Sequence, residues 1–156
     1  MISIAQAKNE DMPTVKTLFS EYADSLPFDL SFQNFNSELA KLPGEYSPPH
    51  GCILIAREGS EIVGCVALRR LDEEVCEMKR LYVQPAVRGR GIGKKLAERV
   101  IKQARESGYR RMKLDTLASM EAAIHLYSSL GFNRITPYRH NPIEGAVFMG
   151  LELDTV

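Results

Sequence analysis

The chain has 156 residues, 44% of them hydrophobic and 26% charged, which is ordinary for a globular protein long enough to bury its own core. Twenty basic and 20 acidic side chains give a formal net charge of zero. A protein whose main partner is nucleic acid usually has a marked excess of basic residues, so we expect no nucleic-acid partner. The composition predicts a single domain over residues 1–156.

The sequence carries no visible export or membrane signal. Its N-terminus, Met-Ile-Ser-Ile-Ala-Gln, lacks the charged and then apolar segments of a secretory signal. No apolar stretch approaches the ~20 residues needed to cross a bilayer. Cys52, Cys65 and Cys76 lie in apolar, strand-like runs without Cys-x-x-Cys spacing, which favours buried free thiols over a nucleophile or metal ligand. We therefore expect a cytoplasmic protein with no membrane partner.

The first fifty residues predict one strand and two helices. Ile2 and Ile4 alternate with polar neighbours, which is typical of a short strand. Asn9 or Asp11 can cap a first helix. A second helix is harder to assign and would end at Pro43-Gly44. Its apolar face would consist of Phe28, Leu30, Phe32, Phe35, Leu39 and Leu42.

Three consecutive antiparallel strands are predicted next. Residues 52–57 and 62–70 are apolar, β-rich runs on either side of a short turn that contains glycine, which predicts a hairpin. A second polar turn over 71–74 leads into a third strand over 75–83.

A long amphipathic helix follows. From Ile92 to Ser107, apolar residues occupy one half of the helical wheel and charged residues the other, and Gly108 is a natural stop. A strand over 112–116 comes next, and a strand, helix and strand in this order predict a parallel βαβ unit.

One more helix and two strands complete the predicted domain. Ser119 can cap the helix, and Gly131 would end it. Short strands are predicted over 132–135 and 146–153, with a loop rich in turn residues between them. The result is a mixed α+β domain whose sheet begins antiparallel and becomes partly parallel.

The start of the long helix is unusual, because every second residue from Gly89 to Gly93 is glycine. Glycine is costly there unless the backbone bends unusually or a ligand comes very close. The free N–H groups and partial positive charge of a helix N-terminus suit a phosphate. Arg88, Arg90, Lys94 and Lys95 add cations. We expect a pyrophosphate-binding turn; the alternative is a flexible turn with a solvated basic face.

Two common nucleotide motifs do not fit this turn. A Rossmann fingerprint would need glycine where Lys94 stands. A Walker A loop would need glycine at Arg88 and serine or threonine at Lys95. The pattern that fits is Arg/Gln-x-x-Gly-x-Gly/Ala, with Arg88, Gly91 and Gly93 at its fixed positions.

At this motif the sequence resembles the GCN5-related N-acetyltransferase (GNAT) superfamily. The stretch Met78–Val83 before it is similar, and Ala123–Phe132 matches the superfamily pattern Ala-x-x-Leu-Tyr-x-x-x-Gly-Phe. The resemblance covers roughly residues 62–132. It implies a three-layer α+β fold, in which a mixed central sheet of about six or seven strands is flanked by about four helices. It also implies an acyltransferase that uses acetyl-CoA as co-substrate, and an assembly that is often a homodimer.

The resemblance implies that an amine attacks the acetyl thioester directly in a ternary complex. Main-chain groups of β-strand residues would hold the oxyanion and the pantetheine arm, and the glycine turn would hold the pyrophosphate. Relatives often have Asn at the position of Met120, so the contact made there would shift to its neighbour Ser119 or be absent. The cofactor-binding residues implied in this way are Leu81, Tyr82, Val83, Arg88, Gly89, Arg90, Gly91, Ile92, Gly93, Lys94 and Ser119.

The resemblance also implies two catalytic side chains. Tyr127 would be the general acid toward the CoA sulfur, although helical periodicity alone would make it a core aromatic. Glu77 would be the general base, directly or through water. The alternative is that Glu77 is a partly exposed strand residue paired with Lys79, Arg80 or Lys113.

The expected acceptor is a primary amine of a small molecule or amino-acid-like compound. The alternatives are a protein or peptide amine, or a regulatory module that binds acyl-CoA without catalysis. We expect no metal, because the three histidines share no ligand spacing. Acceptor determinants would lie in residues 20–50 and 136–145. Residues of the second segment that could reach the pocket are Tyr138, Arg139, His140, Asn141 and Glu144.

Overall fold

The computed structural model describes residues 1–30 and 34–153, which form a seven-stranded sheet with helices on both faces. No helix in these ranges is long and apolar enough to cross a membrane. The helices are α1 (Met12–Asp24), α2 (Phe35–Ala40), α3 (Ile92–Glu106) and α4 (Glu121–Ser129). The strands are β1 (Ile2–Gln6), β2 (Cys52–Glu58), β3 (Glu61–Arg70), β4 (Val75–Val83), β5 (Arg111–Leu117), β6 (Asn133–Arg134) and β7 (Ala146–Glu152).

The strands lie in the order β1-β2-β3-β4-β5-β7-β6. All neighbouring pairs are antiparallel except β4 and β5, which are parallel because α3 crosses over between them. The predicted βαβ unit and the predicted mixed sheet are both confirmed. β4 is therefore the strand at which the sheet changes direction.

Side chains alternate between the two faces of the sheet along each strand, so each face has its own hydrophobic core. Cys76 and Met78 of β4 belong to the core under α3 and α4, whereas Tyr82 belongs to the core under α1 and α2. A bulge lies between them and shifts the alternation by one residue. The predicted apolar face of α3 is confirmed, since each of its members is buried. These members are Ile92, Leu96, Ala97, Val100, Ile101 and Ala104.

The predicted second helix is wrong in its extent, because α2 spans only Phe35–Ala40. Asn34, just before it, has a left-handed backbone with φ +57°, which ends any continuous helix at that point. Phe28 and Leu30 pack in the same core as Phe35 without sharing its helix. Phe32 lies outside the described residues.

Two predicted helix caps also differ from the structure. Asp11 does precede α1, but its carboxylate accepts a hydrogen bond from the Lys8 N–H at 2.8 Å and pairs with Arg57. Ser119 is not the residue that caps α4. A turn in which the Met120 N–H donates to the Leu117 carbonyl places Met120 at the cap, and Ser119 stays exposed.

The bulge in β4 is anchored by a buried ion pair. Arg80 and Leu81 together oppose the single residue Val66 of β3, and Arg80 has φ +61°, which is rare for a residue with a side chain. Its guanidinium donates from Nε and Nη2 to the two carboxylate oxygens of Glu38, both at 2.9 Å. The ion pair joins α2 to β4, so the bulge and the helix above it hold each other in place.

Candidate active site

A cleft opens where β4 and β5 diverge. Their described pairing ends at Glu77 with Lys113, while β5 continues to pair with β7 as far as Leu117. One edge of the segment Met78–Val83 therefore faces the cleft instead of a neighbouring strand. The cleft is closed at one side by α4 and at another by residues that follow α1. Its lining includes Tyr22, Met78, Leu81, Thr116, Leu117 and Tyr127.

The glycine turn brings a helix N-terminus to the end of β4. Gly89 has φ +85° and Gly91 has φ +77°, so both adopt the left-handed conformation that strains other residues. Gly91 caps α3, and its carbonyl accepts the first helical hydrogen bond, from the Lys95 N–H at 3.1 Å. The amides between these residues point out of the helix end. An anion placed there would receive several N–H donors at once.

The side chains of the turn take different positions. Arg88 donates from Nε to the carbonyl of Val83 at 2.8 Å and lies over the Tyr82 ring, which fixes the turn against β4. Arg90 pairs with Glu58 at the tip of the β2–β3 hairpin.

The remaining predicted cofactor-binding residues differ in whether their side chains are accessible to a ligand. Ile92 is buried in the core, which leaves only its main chain for a ligand. Lys94 is exposed beside the turn, and Ser119 is exposed beside the start of α4.

Tyr127 faces the same cleft from α4. Its ring is 8% exposed and packs edge-on against Phe132, with 5.7 Å between the ring centroids. Burial raises the pKa of its phenol, and the nearby Tyr22 and Asp115 raise it further. The phenol therefore keeps its proton throughout the physiological range and can donate a hydrogen bond there.

Glu77 is completely buried at the point where the two strands separate. One carboxylate oxygen accepts from Arg69 Nε at 2.7 Å, and the other accepts from the Tyr138 hydroxyl at 2.6 Å and from Arg139. Burial by itself would raise the pKa of Glu77, but the charges of Lys79, Arg139 and Arg69 outweigh it and lower the pKa. Glu77 is thus an ionised carboxylate surrounded by cations.

The loop before β7 reaches the same face of the sheet. Tyr138 and Arg139 bind Glu77, and Asn141 Nδ2 donates to Asp115 Oδ2 at 3.2 Å. His140 lines a neighbouring cavity, and Glu144 is exposed.

The sequence did not single out Arg69 or Asp115. A usable signal existed for Arg69, which lies directly opposite Glu77 in the β3–β4 register. Asp115 could have been found from its place on β5, whose described pairing with β4 has already ended there.

The cysteines do not contribute to this chemistry. All three are buried and free, as predicted, and burial raises the pKa of the Cys52 thiol to about 12. Such a thiol is almost entirely protonated at neutral pH, so it is a poor nucleophile. Within the ranges that the structure covers, no three His, Cys, Asp or Glu residues come together in a way that could hold a metal.

Comparison with known proteins agrees with this geometry. The structure of a protein from Salmonella typhimurium with its cofactor acetyl-CoA has a TM-score of 0.75 at 21% identity, covering 100% of this chain and 96% of that one, which supports the fold. An N-acetylaspartate synthetase of Danio rerio is 37% identical over 102 residues, 64% of this chain and 36% of that protein.

Two further matches extend over most of the chain. An uncharacterized N-acetyltransferase of Schizosaccharomyces pombe is 43% identical over 155 residues, which cover 97% of this chain and 95% of that protein. The family model of the acetyltransferase (GNAT) family matches residues 14–132. The chain therefore belongs to the GNAT family of acetyltransferases and is an N-acetyltransferase, as its motifs predicted.

Proposed function

We propose that this enzyme transfers the acetyl group of acetyl-CoA to a primary amine of a small, amino-acid-like acceptor, by direct attack in a ternary complex. The observation that carries the proposal is the cleft between β4 and β5, which is lined by residues of β4, the strand that leads into the glycine turn. The Salmonella protein solved with acetyl-CoA shares the fold, which supports the choice of donor. The similarity to a protein named for N-acetylaspartate supports an amino-acid-like acceptor.

The glycine turn would bind the CoA pyrophosphate. Its outward N–H groups and the positive end of the α3 dipole meet the two phosphates, and Lys94 adds a cation from the exposed side. Ser119 is exposed beside the start of α4 and would be an additional polar contact for the CoA arm.

Main-chain groups of Leu81, Tyr82 and Val83 would hold the reacting end of the donor. The cleft edge of β4 has no neighbouring strand here, so its amides can bond the pantetheine arm and the thioester oxygen. Tyr82 and Val83 remain paired to β3 on their other side, which keeps the edge rigid. Preorganised N–H donors of this kind stabilise the negative oxygen of a tetrahedral intermediate.

The reaction requires two proton losses from the acceptor nitrogen. The ammonium first loses a proton, and the free amine attacks the thioester carbon to give a tetrahedral oxyanion. The C–S bond then breaks, and the second nitrogen proton ends on the departing thiolate. The sum is an amide, free CoA thiol and one proton released to solvent.

Tyr127 would stabilise the departing thiolate by donating a hydrogen bond to sulfur. Its raised pKa keeps the hydroxyl proton in place, and a thiol is more acidic than a phenol. Full transfer from phenol to thiolate is therefore uphill, and the ammonium-derived proton completes the thiol. Tyr127, which the sequence predicts as a general acid, would therefore donate a hydrogen bond to the sulfur without giving up its proton.

Glu77 remains a predicted base, but its surroundings favour a positioning role. A carboxylate whose pKa lies below its ordinary value of 4.5 takes up a proton poorly. Both of its oxygens already accept hydrogen bonds from side chains on β3 and the loop before β7. We propose that Glu77 orders Arg69, Tyr138 and Arg139, and that the first proton leaves the acceptor through water.

The function is tested by following free thiol from acetyl-CoA across a panel of small amines and peptides. We expect release only when a suitable small amine is present, with the acetylated amine detected by mass spectrometry. Tight acetyl-CoA binding without turnover on any acceptor would instead identify a regulatory module. Faster turnover of peptides than of any small amine would support the alternative hypothesis, that the acceptor is a protein or peptide amine.

The glycine turn is tested by Gly91→Glu. We expect acetyl-CoA affinity to fall at least about a hundredfold, because the new carboxylate meets the phosphates. Gly108→Glu is the matched control: Gly108 is also left-handed, at φ +90°, with open space where a Cβ would lie, and stands roughly 25 Å away at the other end of α3. Isothermal calorimetry measures the acetyl-CoA affinity of both variants. Equal loss in the two variants would refute the turn as the phosphate site.

The role of Tyr127 is tested by Tyr127→Phe. We expect kcat to fall about a hundredfold, the lower end for loss of a positioned proton donor, with little change in acetyl-CoA affinity. Tyr109→Phe is the control, since it removes the bond from the Tyr109 hydroxyl to the His50 carbonyl, outside the cleft. Wild-type kcat in Tyr127→Phe would show that this residue is only a core aromatic.

The role of Glu77 is tested by Glu77→Gln, with the exposed Glu74→Gln as control. A positioning role predicts a raised acceptor KM, and a loss of about 3 kcal/mol of stability because the partly buried Arg69 and Arg139 lose their buried partner. Because the pKa of Glu77 is lowered by folding, its stabilising effect exists above pH ~4.5 and disappears as the pH falls through the folded value. Glu77→Gln should lack that acid dependence in thermal unfolding. A hundredfold loss of kcat with unchanged KM would instead identify the base.

A further inference from the structure

We propose that the acceptor carries a carboxylate in addition to its amine, and that Arg69, Lys79 and Arg139 bind this carboxylate. We refer to these three residues as the acceptor cation cluster. The inference rests on the function proposed above, because the carboxylate belongs to the acceptor that the same cleft receives. It adds to that function the acceptor group that is recognised, a carboxylate, and the residues that bind it.

The position of the cluster connects it to the cleft. A second cavity of about 420 Å³ adjoins the cleft, and Lys79 of β4 lines both. Arg69 and Arg139 also line the second cavity, from β3 and from the loop before β7. An acceptor whose amine lies in the cleft can therefore extend its other end toward the cluster.

The charges around this second cavity are unequal. Four basic side chains line it, from Lys41 and the three cluster members, whereas Glu38 and Glu45 are the carboxylates among its lining residues. Glu38 already binds Arg80 through both oxygens, and Glu45, which is largely exposed, accepts a hydrogen bond from Arg69 Nη1 at 2.5 Å. The charge balance of the lining is therefore positive.

Glu77 neutralises only part of this charge. It lies beneath the cluster, fully buried, and accepts hydrogen bonds from Arg69 and Arg139. A guanidinium has five N–H donors in a fixed plane, so Arg139 can bind Glu77 and still present donors to an acceptor carboxylate. Arg69 binds Glu77 through Nε and the exposed Glu45 through Nη1, and an acceptor carboxylate would compete with Glu45 for that donor. Glu77 thus orients the two arginines and leaves net positive charge toward the cavity.

Lys79 lies in the same positive surroundings. Burial and the charges of Arg80, Arg139 and Arg69 together lower the pKa of Lys79 to about 7, although Glu77 raises it. Its ammonium is thus held in a place where neighbouring cations repel it. A carboxylate entering the cavity would relieve that repulsion, whereas a second ammonium would increase it.

The opposite wall suits the amine end of such an acceptor. Asp115, at the end of β5, lines the cleft together with Tyr127 and is held by Asn141. An acceptor that carries a cation at one end and an anion at the other matches this arrangement. A polyamine or aminoglycoside would place an additional cation against the cluster, which costs binding energy.

The acceptor class is tested with matched pairs that differ in one charge. Aspartate, glutamate and β-alanine are compared with their carboxamides, and spermidine serves as a cationic acceptor, all by thiol release at pH 7. We expect kcat/KM to be at least about tenfold higher for the carboxylates, the effect of one charged hydrogen bond. The amines of the amides are less basic, so a larger fraction of them is unprotonated and able to react at pH 7. A preference for the acids therefore cannot arise from a larger supply of free amine. Equal or better turnover of amides or spermidine would overturn the inference.

The cluster itself is tested by Arg139→Gln and Arg139→Lys. We expect the first to lose about tenfold in kcat/KM for carboxylates with little change for the amides, and the second to recover most of it. Lys102→Gln is the charge control, because it also removes one positive charge and Lys102 is exposed on α3, where it pairs with Glu106. A loss shared equally by acids and amides would show that Arg139 is only structural, and thermal unfolding of each variant measures any change in folding.

Failure of this inference can be told apart from failure of the proposed function. An enzyme that acetylates neutral or cationic amines in preference to acids has the proposed activity with a different acceptor class. Absence of turnover with every amine, despite tight acetyl-CoA binding, overturns the proposed function and this inference with it.

Discussion

The separation of β4 from β5 is the constraint on which the rest of the site depends. Parallel strands normally stay bonded along their length, and a main-chain group buried without a partner costs about 1–3 kcal/mol. Here the bulge at Arg80 and Leu81 turns β4 away after Glu77, and the ion pair of Arg80 with Glu38 fixes that geometry. A strand edge held open in this way is stabilised when a ligand supplies the missing hydrogen bonds. The bulge therefore leaves a strand edge to which a ligand could bind.

Although the net charge of the chain is zero, its basic side chains are concentrated in two places around this opening. One basic group surrounds the N-terminus of α3, and a second lies on the opposite sheet face beside the cleft. The first suits the phosphates of the donor, and the second suits an anionic acceptor. Both groups are held in place by carboxylates: Glu58 binds Arg90, and Glu77 binds Arg69 and Arg139. Acidic residues thus position the cations that would contact the two substrates.

Patterns within one element and the pairing of successive strands could be predicted from the sequence. Side-chain contacts between distant elements could not. The bounds of β4 and the apolar face of α3 follow from local periodicity and match the structure. The extent of α2 was missed, because a left-handed Asn34 leaves no periodic signal. The partners of Glu77 were also missed, since they come from positions 69, 138 and 139. Only the strand register and a loop that folds back bring those residues together.

Glu77 shows why position in a motif does not settle chemical role. The resemblance to relatives implies a catalytic base at this position, and burial alone would raise the pKa of Glu77 toward that use. Three neighbouring cations reverse the effect, and the same cations line the second cavity, which we propose receives the acceptor's carboxylate. A carboxylate that neutralises such a wall has to remain ionised to do so. Holding the acceptor cation cluster and accepting the acceptor's proton are therefore competing demands on one residue, and the observed hydrogen bonds favour the first.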